Sequence, residues 1–164
     1  MTQSHPKNFA ESQEALIELM GIEISPSAAT REFREVFKRS VRDRPLPTAE
    51  ILGGHYTAEA HLQHVMLREE VRELKEAVST GDIVEIADAL ADIVYLAYGA
   101  SHFFGIPLDE VLSEVHRSNM TKLEDGEPVY YPNGKVRKGK DYEPPNIAPI
   151  LELHFNKDAQ VWEL

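Results

Sequence analysis

The chain has 164 residues, enough for one domain with its own core, and a formal net charge of −11 at pH 7, which argues against general nucleic-acid or anionic-membrane binding. It has no cysteine, which excludes disulfides, iron–sulfur clusters, thiol catalysis and cysteine-based zinc sites, and which fits a reducing cytosol. Residues 1–7, Met-Thr-Gln-Ser-His-Pro-Lys, carry none of the apolar stretch a signal peptide needs, so a cytoplasmic protein is expected.

In chain order, 8–20 reads as a short helix with Phe9, Leu16, Ile17 and Met20 apolar and Gly21 as its stop. A second helix is expected over 25–42, with Ser25 as N-cap and Pro26 at the first helical position. Pro45, Pro47, Gly53 and Gly54 make 45–56 a loop. A third helix over 58–78 carries Leu67, Val71, Leu74 and Val78 on one stripe, and Leu62 and Met66 in line with Glu69 and Glu73. Ser79-Thr80-Gly81-Asp82 is a compact turn, with Gly81 ending one helix and Asp82 capping the next, and so short a connection makes the two helices antiparallel neighbours.

The fourth helix ends near Phe104-Gly105 and is apolar nearly all round, so burial is expected. Its longest apolar run, 89–106, approaches membrane-span length, but Asp92 and His102 within it point to a core helix. Pro107-Leu108-Asp109 opens a fifth helix, and 128–138 reads as a small hairpin around Asn133-Gly134. The expected fold is all-α: a four- to five-helix bundle with a small C-terminal β-hairpin, one domain over 1–164, homodimeric because the fourth helix has more apolar surface than one chain can cover.

Two acidic stripes stand out on the third and fourth helices. Glu69, Glu70 and Glu73 share one side of the third, and Glu85, Asp88 and Asp92 follow an i, i+3, i+7 line on the fourth. A single Glu-Glu-x-x-Glu is ordinarily a solvated helix face, and Glu76, which points away, is read that way. A carboxylate such as Asp92 in a buried helix must be paired or bound to a cation. An arginine or backbone partner would suffice for Asp88 and Asp92, but the nearby residues offer further acids, and clustered oxygen ligands select hard ions such as Mg2+ or Mn2+. Lys and Arg gather at 31–44 and 117–140, on either side of the acids, an order that suits a metal site beside a phosphate site. His61 and His64 have zinc-like spacing but sit near a helix start, where exposure is the default, and His116 and Asn119 read as polar surface. A di-iron carboxylate bundle would need Glu-x-x-His, which the sequence lacks.

Five segments in order carry a resemblance: Glu69-Glu70-x-x-Glu73, the run 88–99 from Asp88 through Asp92 to Gly99, Gly105-Ile106-Pro107, the run 114–122 with Asn119 and Lys122, and 134–139 with Tyr142, Pro144 and Pro145 beyond. Together, over 62–145, they resemble the MazG-like all-α nucleoside triphosphate pyrophosphatase superfamily, most closely its phosphoribosyl-ATP pyrophosphohydrolase-like branch. The resemblance implies a dimeric helical bundle that hydrolyses a nucleoside triphosphate to monophosphate and pyrophosphate with Mg2+ held by carboxylates of adjacent helices. By position, Glu69, Glu70 and Glu73 match the first acidic motif and Asp92 the last acid of the second. The glutamate expected three residues before Asp92 is Ala89, and Asp88, one turn from Asp92, is the favoured substitute, with Glu85-x-x-Asp88 a shifted alternative. The metal set is then Glu70, Glu73, Asp88 and Asp92, with Glu69 or Glu70 accepting the proton of the attacking water and Asn119, Lys122, Lys138 and Lys140 holding phosphate oxygens. Two other readings remain: phosphoribosyl-ATP itself as substrate, or a non-catalytic nucleotide- or partner-binding helical dimer.

Overall fold

The computed structural model describes residues 25–46 and 58–155, so the helix expected over 8–20 and most of the loop expected over 45–56 lie outside the described residues. Five helices follow in order: α1 Pro26–Val36, α2 Ala58–Thr80, α3 Ile83–Phe104, α4 Leu108–Met120 and α5 Ala148–Phe155. α1 begins as expected, with the Ser25 hydroxyl accepting from the Ala28 N–H and Pro26 in the first turn. It ends six residues before the expected 42. Lys38 takes a left-handed conformation at φ 54°, and the Arg39 and Lys38 N–H groups bond back to the Arg34 and Glu35 carbonyls, which closes the helix in a Schellman turn. Beyond it, the chain crosses the end of α3, where the Arg42 and Leu46 N–H groups donate to the His102 and Phe104 carbonyls.

α2 and α3 form an antiparallel hairpin about a two-residue turn. Gly81 has φ 73°, and the Asp82 carboxylate accepts from the Val84 and Glu85 N–H groups. α3 packs along α2 and, nearer its C-terminus, against α1; α4 packs far less on any other helix. Gly105 closes α3 at φ 69°, and a Cβ there would overlap the Arg44 carbonyl, so this junction admits only glycine.

Among the described residues the buried apolar side chains are few: Pro45, Ala60, Ala77, Ala89 and Phe103. The expected all-round burial of α3 is therefore corrected: Ile83 and Val84 are 73% and 71% exposed, and Leu90 and Val94 about half exposed. α1 and α2 cover one side of α3, and α4 turns away at Gly105 rather than covering the other. The expected hairpin over 128–138 is also corrected. Tyr130 and Val136 meet in an isolated antiparallel bridge around the Asn133-Gly134 turn, and no strand forms among the described residues. Two backbone hydrogen bonds cross the turn, Tyr131 N–H to the Lys135 carbonyl and Arg137 N–H to the Val129 carbonyl, and Pro128 and Pro132 confine the first arm to three residues. α5 was not expected from the sequence.

Candidate active site

Five acids of the two stripes, Glu69, Glu70 and Glu73 of α2 and Asp88 and Asp92 of α3, come near one another across the α2–α3 hairpin, whereas Glu85 is not among them. Glu70 is half-buried, whereas Glu69, Glu73, Asp88 and Asp92 are exposed. Asp92 is thus corrected from a buried carboxylate to a surface one, because the helix face that carries it is left open. The Glu70 carboxyl is pushed above its usual range, first by burial and then by the charges of Glu73, Asp92, Asp88 and Glu69. Acids of both helices therefore act on one another through Glu70. Arg72 leans on Glu73 at 3.7 Å and bonds Glu76 at 3.1 Å, which bears out the solvent role of Glu76. Ala89 is 4% exposed and turned into the helix packing, so the position of the expected glutamate is closed to a ligand.

Among the described residues no three His, Asp or Glu side chains are drawn together closely enough to hold an ion as they stand. The donor set nevertheless fits a hard divalent cation. It consists of carboxylate oxygens from facing helices, and the strongest charges acting on its half-buried member are other acids.

The basic residues form a second cluster on α4 and the loop after it. The Lys122 ammonium donates to the Asn119 amide oxygen at 2.6 Å, and Lys138 lies over the Tyr142 ring, 4.4 Å from its centroid. The Tyr142 phenol is drawn below its usual range by its hydrogen bond with Ser118, and further by the charges of Lys138 and Lys122. Lys140 turns instead to Asp125 at 3.0 Å, and Arg137 to Glu124 at 2.6 Å. Glu114 anchors the loop: it accepts both prongs of Arg117 and the Asn146 N–H, which holds its carboxyl down at about 2. Tyr142 stood in the sequence beside the basic run without a role, and its place becomes visible only when α4 and the loop are folded together.

The described residues thus offer an antiparallel helical hairpin with acids of both helices around Glu70 and, on α4 and the loop after it, a separate cluster of lysines. The phosphoribosyl-ATP pyrophosphohydrolase family model matches residues 30–119, and the chain belongs to that family, a member of the MazG-like all-α superfamily. The family consists of pyrophosphohydrolases, hydrolases acting on acid anhydrides, which typically use divalent metal ions. A 74-residue stretch is 38% identical to the uncharacterized protein L479 of Acanthamoeba polyphaga mimivirus, over 44% of this chain and 27% of the viral protein. The chain thus spans about a quarter of that relative's length. No helix among the described residues is long and apolar enough to cross a membrane.

Proposed function

We propose that the protein is a Mg2+-dependent nucleoside triphosphate pyrophosphohydrolase, converting an NTP or dNTP to the monophosphate and pyrophosphate. The observation that carries this reading is the band around Glu70, whose carboxyl is raised by burial and by the charges of Glu73, Asp92, Asp88 and Glu69 from two helices. Glu70, Glu73, Asp88 and Asp92 would hold Mg2+ or Mn2+. The bound ion supplies neutralisation of phosphate charge and acidification of a water. Glu69 or Glu70 would accept the proton of the attacking water as its oxygen bonds the α-phosphorus and the bond from that phosphorus to the oxygen bridging to the β-phosphate breaks. Lys122, Asn119 and Lys138 bind phosphate oxygens, with Lys140 available once it leaves Asp125.

We place this chemistry in a homodimer. The open apolar side of α3, with Ile83, Val84, Leu90 and Val94, is what a second copy would cover, and the basic cluster on the loosely packed α4 would then meet the partner's acids. Light scattering should report at least twice 18.5 kDa. A monomer at working concentration rejects the shared site.

Phosphoribosyl-ATP is the second substrate reading, favoured by the description of the matching family. Pyrophosphate release measured on a panel of NTPs, dNTPs and phosphoribosyl-ATP, with Mg2+ and with EDTA, separates the readings. Release from phosphoribosyl-ATP alone selects the second, and binding without release from any of them selects a non-catalytic role.

A further inference from the structure

A cavity of about 160 Å3 lies outside both clusters, between α1, the first half of α2 and the second half of α3. Phe33 and Phe37 stack in it with ring centroids 4.3 Å apart, and Tyr95 meets Phe33 edge-on at 5.8 Å. Leu62 and Met66 of α2 line it as well. Phe33 and Phe37 remain 43% and 60% exposed, so two aromatic faces lie open where a flat ring can cover them.

Two polar groups of this cavity, Arg34 and Gln63, are buried and held in place, while Glu59 is a quarter exposed and Arg39 lies at the surface. Arg34, 6% exposed, donates to the Ser40 carbonyl at 2.8 Å, to the Glu59 carboxylate at 2.8 Å and to the Gln63 amide oxygen at 3.4 Å. Gln63, 8% exposed, donates its amide N–H to the Glu59 carbonyl at 3.2 Å. A primary amide carries two N–H groups and an oxygen with two lone pairs, so Gln63 keeps a donor and an acceptor for a ligand in the cavity it lines. Such a pair matches a nucleobase edge.

Position and size narrow the ligand. Met66 precedes Glu70 by four residues and Leu96 follows Asp92 by four, so the cavity begins one helical turn, about 5 Å, from the acid band. An enclosed apolar cavity of about 150 Å3 takes up benzene, and the present one, of similar volume, matches a single six-membered ring. We infer that this cavity is a pyrimidine pocket, in which Phe33, Phe37 and Tyr95 flank the base, Gln63 reads its edge, and Arg34 and Glu59 hold Gln63 in place. The inference rests on the triphosphate reading above and makes the substrate a pyrimidine nucleoside triphosphate.

Two measurements on the full chain test it: pyrophosphate release from dCTP, dUTP, dATP and dGTP, and metal-free calorimetric binding of the four monophosphates. Pyrimidine substrates should exceed purines by at least about tenfold in kcat/KM. Phe33→Ala, at an exposed position, should raise KM for pyrimidines about tenfold while leaving inhibition by inorganic pyrophosphate unchanged. Gln63→Met, of similar shape but without a hydrogen-bonding edge, should erase most of the preference, and circular dichroism checks that it folds. Equal use of all four bases, or a preference that survives in a folded Phe33→Ala, overturns the pocket and leaves the hydrolase reading standing. Pyrimidine monophosphate binding that is lost in Phe33→Ala, with no pyrophosphate released from any triphosphate, supports the pocket and overturns the hydrolase.

Discussion

Arg34 donates to the Gln63 amide oxygen at 3.4 Å and so joins α1 to α2 between two side chains that are both nearly closed to water. The same guanidinium pairs with Glu59 at 2.8 Å. Truncating it takes the guanidinium partner from the Gln63 amide oxygen and leaves the Glu59 carboxylate with Ser40 alone. Arg34→Ala should cost roughly 3 kcal/mol, lowering Tm by about 6–12 °C. A loss under about 1 kcal/mol in a denaturant titration would show that water replaces the guanidinium there.

Turnover should depend on the acid band residue by residue. Glu73→Gln and Asp92→Asn should each lower kcat at least about a hundredfold with unchanged helical dichroism, and EDTA should abolish pyrophosphate release. Because the carboxylates repel one another without an ion, the same variants should leave metal-free stability unchanged or raise it by a few tenths of a kcal/mol, and should weaken the stabilisation by Mn2+. If Asp92→Asn melts the metal-free protein far earlier, Asp92 is a structural acid.

The pH dependence of stability should carry two opposed contributions. Glu114 titrates at about 2 in the folded chain against an ordinary 4.5, so between these values the unfolded chain binds more protons and stability rises with pH. Its contribution is complete above about 4.5 and is lost as pH falls toward 2. Glu70 is displaced the other way, so its ionisation works against the metal-free fold, and that penalty fades as pH falls into the ordinary carboxylate range. Urea midpoints followed from pH 7 to pH 2.5 should fall less steeply below about 4.5 in Glu114→Gln than in the parent. Parallel curves would contradict the clamp.

Gly105 is the position least tolerant of a side chain. Its φ of 69° and the nearness of the Arg44 carbonyl act together, so Gly105→Ala should cost at least about 2 kcal/mol. Gly81 has a similar φ with open space around it, so Gly81→Ala should cost only about 1 kcal/mol. Equal losses at the two sites in thermal melts would assign the whole effect to backbone conformation.

The hairpin was legible because its signals are local. Gly81, Asp82 and Gly105 set the ends of α2 and α3 where the sequence placed them, and the short turn brought Glu70 opposite Asp88 and Asp92. Exposure was misread, because an apolar pattern shows that a helix has a greasy side without showing what covers it. The end of α1 was missed because Lys38, not glycine, adopts the left-handed cap. Pro149 is the signal that marks the start of α5. The aromatic cavity escaped notice because Phe33 and Phe37 lie on a helix with a weak apolar pattern, and their relation to Tyr95 and Gln63 spans parts of the chain far apart in sequence.

The Gly81-Asp82 turn also bears on how the chain reaches its fold. Every acid of the band lies within one helical hairpin, so the closing loop is short and its contacts are local, the kind that form early. Charge repulsion in the band is therefore met near the start of folding. An ion that screens it would act on the refolding rate more than on the unfolding rate, which gives stopped-flow traces with and without Mn2+ a kinetic signature of their own.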